Sequence, residues 1–229
     1  MRNCHFAERG AEVRLEKPKA LEVLYFCDDG NYSVHFSKDG RLYLAGQTEA
    51  FWWSVDMQTK EPIGKVTQEK EFILSICTDP SDDTVVIVTS FHRVNVCDEE
   101  RTLHQWRCHR LKSYAQATIM FSKIVLIDSA ENAVVFYNKM GQKLLTLHPE
   151  NFNKAWFTAK YDSNNLIISG ASGIGKFPVQ ENSAPEWVTD ITAPRGVCVD
   201  HTGLIYAASQ MEAVYVLSPA GKITEILLI

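Results

Sequence analysis

The stretch Asp39-Gly40-Arg41-Leu42-Tyr43-Leu44-Ala45-Gly46-Gln47-Thr48-Glu49-Ala50-Phe51-Trp52-Trp53 aligns without a gap on Thr202-Gly203-Leu204-Ile205-Tyr206-Ala207-Ala208-Ser209-Gln210-Met211-Glu212-Ala213-Val214-Tyr215-Val216. A turn glycine, an apolar run, a Glu-Ala pair and a second apolar run coincide. A middle copy, Lys123 to Phe136, falls into the same register, and its Gly141 matches Gly221 two repeats later. Two weaker copies fill the gaps, around Thr84-Val85-Val86-Ile87-Val88 and Asn164-Asn165-Leu166-Ile167-Ile168. The equivalent positions Gly40, Thr84, Lys123, Asn164 and Gly203 therefore recur at a near-constant interval, that of a propeller blade.

Each copy reads as strand, tight turn, strand, loop, strand, turn, strand, with Asp-Gly, Asp-Asp, Asn-Asn and Thr-Gly as turn chemistry. No segment sustains the 3.6-residue apolar period of a helix. Short strands repeated about every 40 residues make four-stranded sheets, none of which buries both faces alone. Radial stacking solves this, so the pattern predicts an all-β fold, a β-propeller of four-stranded antiparallel blades. A β-sandwich would show irregular strand spacing instead. Phe51, Trp53, Phe136 and Tyr215 suit the contacts between sheets.

The repeats divide the chain into 28–70, 71–110, 111–152, 153–190 and 191–229 within a single domain of 1–229. Residues 1–27 read as two outer strands around Lys17-Pro18-Lys19, which makes either five blades or six with an N-terminal contribution. Either the ring closes with five blades and that addition, or the chain is a piece of a longer protein.

The segment Pro194-Arg195-Gly196-Val197-Cys198-Val199-Asp200-His201-Thr202-Gly203-Leu204-Ile205-Tyr206-Ala207-Ala208 resembles an NHL repeat. His35 to Leu42, continuing to Trp53-Ser54-Val55-Asp56, is similar to a WD40 blade, though without its WD dipeptide. The NHL resemblance implies a propeller that recognises protein or RNA. Ubiquitin ligase activity does not carry over, because no zinc-binding module is present in the sequence.

Composition narrows the function. The 229 residues are 45% hydrophobic and 22% charged, with net charge −5, so the chain can bury a core and phosphate contacts do not dominate its surface. No apolar run spans a membrane, and Met1 to Gly10 lacks the pattern of a signal peptide, which predicts a cytoplasmic protein. Six cysteines, none in a CxxC pair, read as free thiols, with Cys77 and Cys198 as small core hydrophobes.

Three motifs suggest chemistry and are rejected on context. Ser169-Gly170-Ala171-Ser172-Gly173-Ile174-Gly175-Lys176 fits a phosphate loop, but Phe177-Pro178-Val179 opens no helix behind it. Cys97, His104, Cys108 and His109 match no zinc spacing, and Thr102 to Arg107 alternates like a strand that turns His104 and Trp106 to one face. Asp79, Asp162 and Asp200 each precede a turn, where a carboxylate accepts backbone N–H groups. No catalytic residue, metal ligand or cofactor is assigned.

What remains is the end where the loops between second and third strands meet the segments joining blades. The candidate partner-binding residues there are Gln47, Glu49, Phe91, His92, Arg93, Glu131, Asn132, Trp156, Lys176, Arg195, Gln210 and Glu212. Phe72, Tyr114 and Phe152 join them as aromatics of the joining segments. The reading is a non-catalytic interaction module for a protein partner. The alternatives are RNA binding through Arg93, Arg107, Arg110, Lys112, Lys154 and Lys176, and a metal-dependent lactonase-like hydrolase built on the three aspartates.

Overall fold

A computed structural model describes residues 13–17, 20–24, 32–36, 41–46, 51–56, 62–67, 73–90, 92–98, 101–108, 116–120, 122–211 and 213–228. Below residue 73 its side chains are described only at 41–43. All regular structure among these residues is strand, and no helix is long and apolar enough to cross a membrane.

Among the described residues, five four-stranded antiparallel sheets follow one another along the chain. The first is Tyr32–Phe36, Arg41–Gly46, Phe51–Asp56 and Pro62–Thr67. The second is Ile73–Thr78, Val85–Thr89, Arg93–Cys97 and Thr102–Arg107. Ala117–Met120, Lys123–Asp128, Ala133–Tyr137 and Lys143–Leu147 form the third. The fourth is Ala155–Lys160, Asn165–Gly170, Gly173–Pro178 and Trp187–Thr189. Pro194–Val199, Ile205–Ser209, Ala213–Leu217 and Ile223–Leu228 complete the fifth. Val13–Lys17 and Ala20–Leu24 pair as a separate hairpin.

Within each sheet the strands lie in sequence order, and the first strands of consecutive sheets contact one another, so they line the inside of the arc. The fourth strands lie outside. Thr102–Arg107 shows this alternation, with His104 and Trp106 half-buried and Leu103, Gln105 and Arg107 exposed.

The core of the described residues consists of apolar layers, one between each pair of neighbouring sheets. Tyr43 of the first sheet packs on Ile76, Val85 and Ile87 of the second. The other face of the second sheet, with Val86, Val88, Val94 and Val96, packs on Ala117, Ile124 and Leu126 of the third. Val125, Ile127, Val134 and Phe136 pass to Leu166, Ile168 and Phe177 of the fourth, and Ile167 and Ile174 pass to Ile205, Ala207 and Leu217 of the fifth. Second strands such as Val85–Thr89 are buried on both faces, which is why they read as unbroken β-branched runs.

The three aspartates take the turn-forming role. Asp79 accepts from Ser81 N–H and Oγ–H, Asp162 from the Asn164 and Asn165 amides, and Asp200 from the Thr202 and Leu204 amides. One of these turns is also an interlock between sheets. Lys139, in the third sheet's last turn, places Nζ 2.7 Å from Asp79 Oδ2 and 2.5 Å from Asp82 Oδ2 in the second.

The Gly141 and Gly221 equivalence has a physical cause. A Cβ on Gly141 would lie 2.5 Å from the Trp106 ring of the preceding sheet, and one on Gly221 would lie 2.5 Å from the Trp187 ring. Both glycines hold positive φ, 81° and 76°, so space and backbone together demand the residue.

Candidate functional site

The end bearing the loops between second and third strands is held by backbone bonds to the joining segments. Asn132 donates from Nδ2 to the Phe152 carbonyl and accepts from Ala155 N–H at Oδ1. Ala171 N–H donates to the Asn153 carbonyl, and Ser172 Oγ accepts from Asn153 N–H. In the fifth sheet Gln210 N–H donates to Ala193 O, and Ser209 Oγ–H to Thr192 O. The segment 152–156 is thereby fixed from both sides.

On that frame the structure brings together two predicted residues, Trp156 and Arg195. They occupy the first strands of the fourth and fifth sheets, one repeat apart, at the same interval as Asn164 and Gly203. Each lies inside a register shift, between Ala155 and Phe157 in one strand and Pro194 and Val197 in the other. A bulge re-aims the side chain it carries. Arg195 Cζ sits 5.0 Å from the Trp156 ring centroid, a cation–π stack of two half-buried side chains. The buried Ser169 hydroxyl donates to the Arg195 carbonyl at 3.1 Å. Beside them Lys154, exposed and at φ 50°, passes close over Gly170, whose added Cβ would lie 2.5 Å from its carbonyl oxygen.

The remaining candidates divide. Glu131 and Gln210 are exposed on this end, and Met211, not singled out from sequence, is 64% exposed beside them. His92 is half-buried at φ 60°, its carbonyl accepting from Cys108 N–H, and Arg93 opens the adjoining strand opposite Arg107. Asn132 is a clamp, both ends of its amide being used by the joining segment. Phe152 is core: it is 1% exposed and meets Phe177 edge-on at 5.3 Å. Gln47, Glu49, Phe91 and Glu212 lie outside the described residues, as do Phe72, Tyr114, Arg110 and Lys112.

Lys176 is not on the loop end. The turn it was assigned to is two residues long, Ala171-Ser172, so Gly173 already pairs with Gly170 and Lys176 lies within the strand. There it pairs with Glu186 at 2.8 Å and stands 4.3 Å above the Tyr161 ring. The glycine cluster is thus a β-hairpin, and no helix follows it. Arg107 lies on the outermost strand of the second sheet. Among the described cations proposed for RNA contact, Arg93, Arg107 and Lys154 stand at the loop end and Lys176 does not. Among the described residues no three His, Cys, Asp or Glu side chains gather as for a metal.

The assembled geometry defines the class: the protein is a β-propeller. Solved propellers match it over most of its length. The WD40 β-propeller domain of Doa1 superposes with TM-score 0.76 at 14% identity, covering 97% of this chain and 77% of that one. A chain of the nidogen/laminin complex gives 0.75 at 14% identity, covering 98% and 92%. Virginiamycin B lyase from Staphylococcus aureus gives 0.70 at 11%, covering 87% and 70%. No protein family and no curated protein sequence matches the chain.

Proposed function

We propose that this chain is a non-catalytic protein-interaction module that recognises its partner at the mouth around Trp156 and Arg195. The observation that carries this reading is the stack itself. Two bulged inner strands aim a large aromatic and an arginine, the residue types that anchor partners, at the same point of the loop end. Glu131, Gln210 and Met211 supply an exposed surround.

The same reading takes the fifth sheet as an NHL-like repeat. It treats residues 1–229 as one domain in which 1–27 add outer strands, and places the protein in the cytoplasm with its thiols reduced. Cys77, Cys97, Cys108 and Cys198 are free thiols, which suits that compartment.

The test is affinity capture from cell extract with the full chain, Trp156→Ala, Arg195→Ala and, as a remote control, Leu103→Ala on an outer strand. Partners lost with the first two and kept by the control support the mouth. Partners kept by Trp156→Ala and Arg195→Ala alike refute it.

A further inference from the structure

The Arg195 guanidinium lies over the Trp156 ring, Cζ 5.0 Å from its centroid. Among the described residues its side chain donates no hydrogen bond and enters no ion pair; Trp156 is its recorded contact. Lys154 is likewise exposed without an ion pair, and the described carboxylates of this end, Asp128, Glu131, Glu150 and Asp190, pair with neither cation. Three other cations are paired: Lys139 with Asp79 and Asp82, Lys176 with Glu186, and Arg101 with Asp98.

We infer that Arg195, seated over Trp156 and with Lys154 exposed two residues before that ring, receives a carboxylate side chain of the protein partner. The inference rests on the loop-end reading above and names the chemistry of that site. The ring contact restrains the guanidinium, and its N–H groups, which donate to nothing among the described residues, are those that bind a carboxylate through two parallel hydrogen bonds. The Arg195 backbone is already anchored by Ser169 and the Lys154 carbonyl by Ala171 N–H, so little ordering remains to be done on binding. Nucleic acid fits less well. A strand needs a track of cations along its phosphates, whereas Lys176 lies off this end, Arg93 and Arg107 belong to the second sheet and not to the fourth or fifth, and the net charge is −5.

The experiment selects ligands from a random peptide library on the immobilised full chain, then measures synthetic peptides by fluorescence anisotropy. The expected ligands share an Asp or Glu whose change to Asn or Gln weakens binding at least tenfold. Arg195→Gln should weaken binding as much and abolish the acid-to-amide difference. Arg195→Lys, which keeps charge without the fork, should recover part of the affinity. Thermal melting of each variant confirms folding.

Ligands lacking an acid, or a double-mutant cycle that is additive, overturn the carboxylate inference. If such ligands still depend on Trp156, the loop-end reading survives. Ligands indifferent to both Trp156→Ala and Arg195→Gln, or no ligands at all, overturn both. Tighter binding of single-stranded oligouridylate, lost in Arg195→Gln, would assign the site to RNA and overturn the inference as well.

Discussion

The second and fifth sheets carry equivalent rows on the same face, yet in different surroundings. In the second sheet Cys77, Val86 and Val96 stand opposite one another across three strands, and in the fifth Cys198, Tyr206 and Val216 do. The first row is at most 2% exposed because Ala117, Ile124 and Leu126 of the third sheet cover it. In the second row Cys198 and Tyr206 remain half-exposed, and the apolar clusters of the described residues leave this face out. A sheet's own pattern makes a face apolar; the following sheet makes it core.

Placing a carboxylate in each face is the sharpest way to break that comparison. Val88→Asp buries an unpaired charge and should cost about 4 kcal/mol or more, enough to threaten folding. Val214→Asp, half-exposed in the fifth sheet, should cost under about 1 kcal/mol. Equal losses in urea unfolding would mean that the two faces are covered alike.

The turn aspartates provide the next contrast. Asp79 is held by a lysine of the following sheet, whereas Asp200 is held by its own turn. Lys139→Met leaves the Asp79 carboxylate, 1% exposed, without its counter-charge, and should cost about 3 kcal/mol at neutral pH. Burial pushes the Asp79 carboxyl upward, but hydrogen bonds from Lys139 and Ser81 and the Lys139 charge outweigh it and hold the group below its ordinary 3.8. A lowered native pKa stabilises above 3.8, and that stability is lost as pH falls through the native value. In Lys139→Met burial acts with less opposition, so the stability that Asp79 contributes should fall and the variant's deficit should shrink toward pH 3. A deficit that is constant with pH would show that the ion pair does not link the sheets energetically.

A smaller effect separates the glycines. Gly141→Ala and Gly221→Ala should each cost about 2–3 kcal/mol, combining positive-φ strain with displacement of a tryptophan. Gly203→Ala has the same kind of backbone, φ 85°, but its nearest neighbour is Tyr161 Oη at 3.4 Å, so about 1 kcal/mol is expected. Similar costs at all three positions would remove the tryptophans from the account.

The mildest test leaves stability untouched. Burial and the nearby Asp79 charge push the Cys77 thiol far up. With iodoacetamide under native conditions, read by peptide mass spectrometry, Cys198 should label well before Cys77. Comparable rates would argue that the fifth sheet's face is closed.

The repeat was legible because strand, turn and apolar run are local features, each complete within a single copy. The aspartate turns were legible for the same reason, since each carboxylate and the amides it accepts from belong to one turn. The Gly141 and Gly221 match was visible, but not its cause, since Trp106 and Trp187 come from strands outside the glycine's own turn. Lys176 was misplaced by assuming equal loop lengths, when Gly170 and Gly173 pair directly and close the hairpin early. Asn132 looked like a surface amide because its acceptor and donor arrive from the next joining segment.

Trp156 and Arg195 were each readable as candidates, and their one-repeat spacing placed them on adjacent sheets in like positions. Sequence settled which residues form strands, because alternation and turn chemistry are written within each strand and its own turn. That the two side chains meet, and that Cys77 and Val86 are core while Cys198 and Tyr206 stay half-exposed, was decided by bulges and by the neighbouring sheet. Those depend on contacts between residues a full repeat apart, which local pattern does not encode.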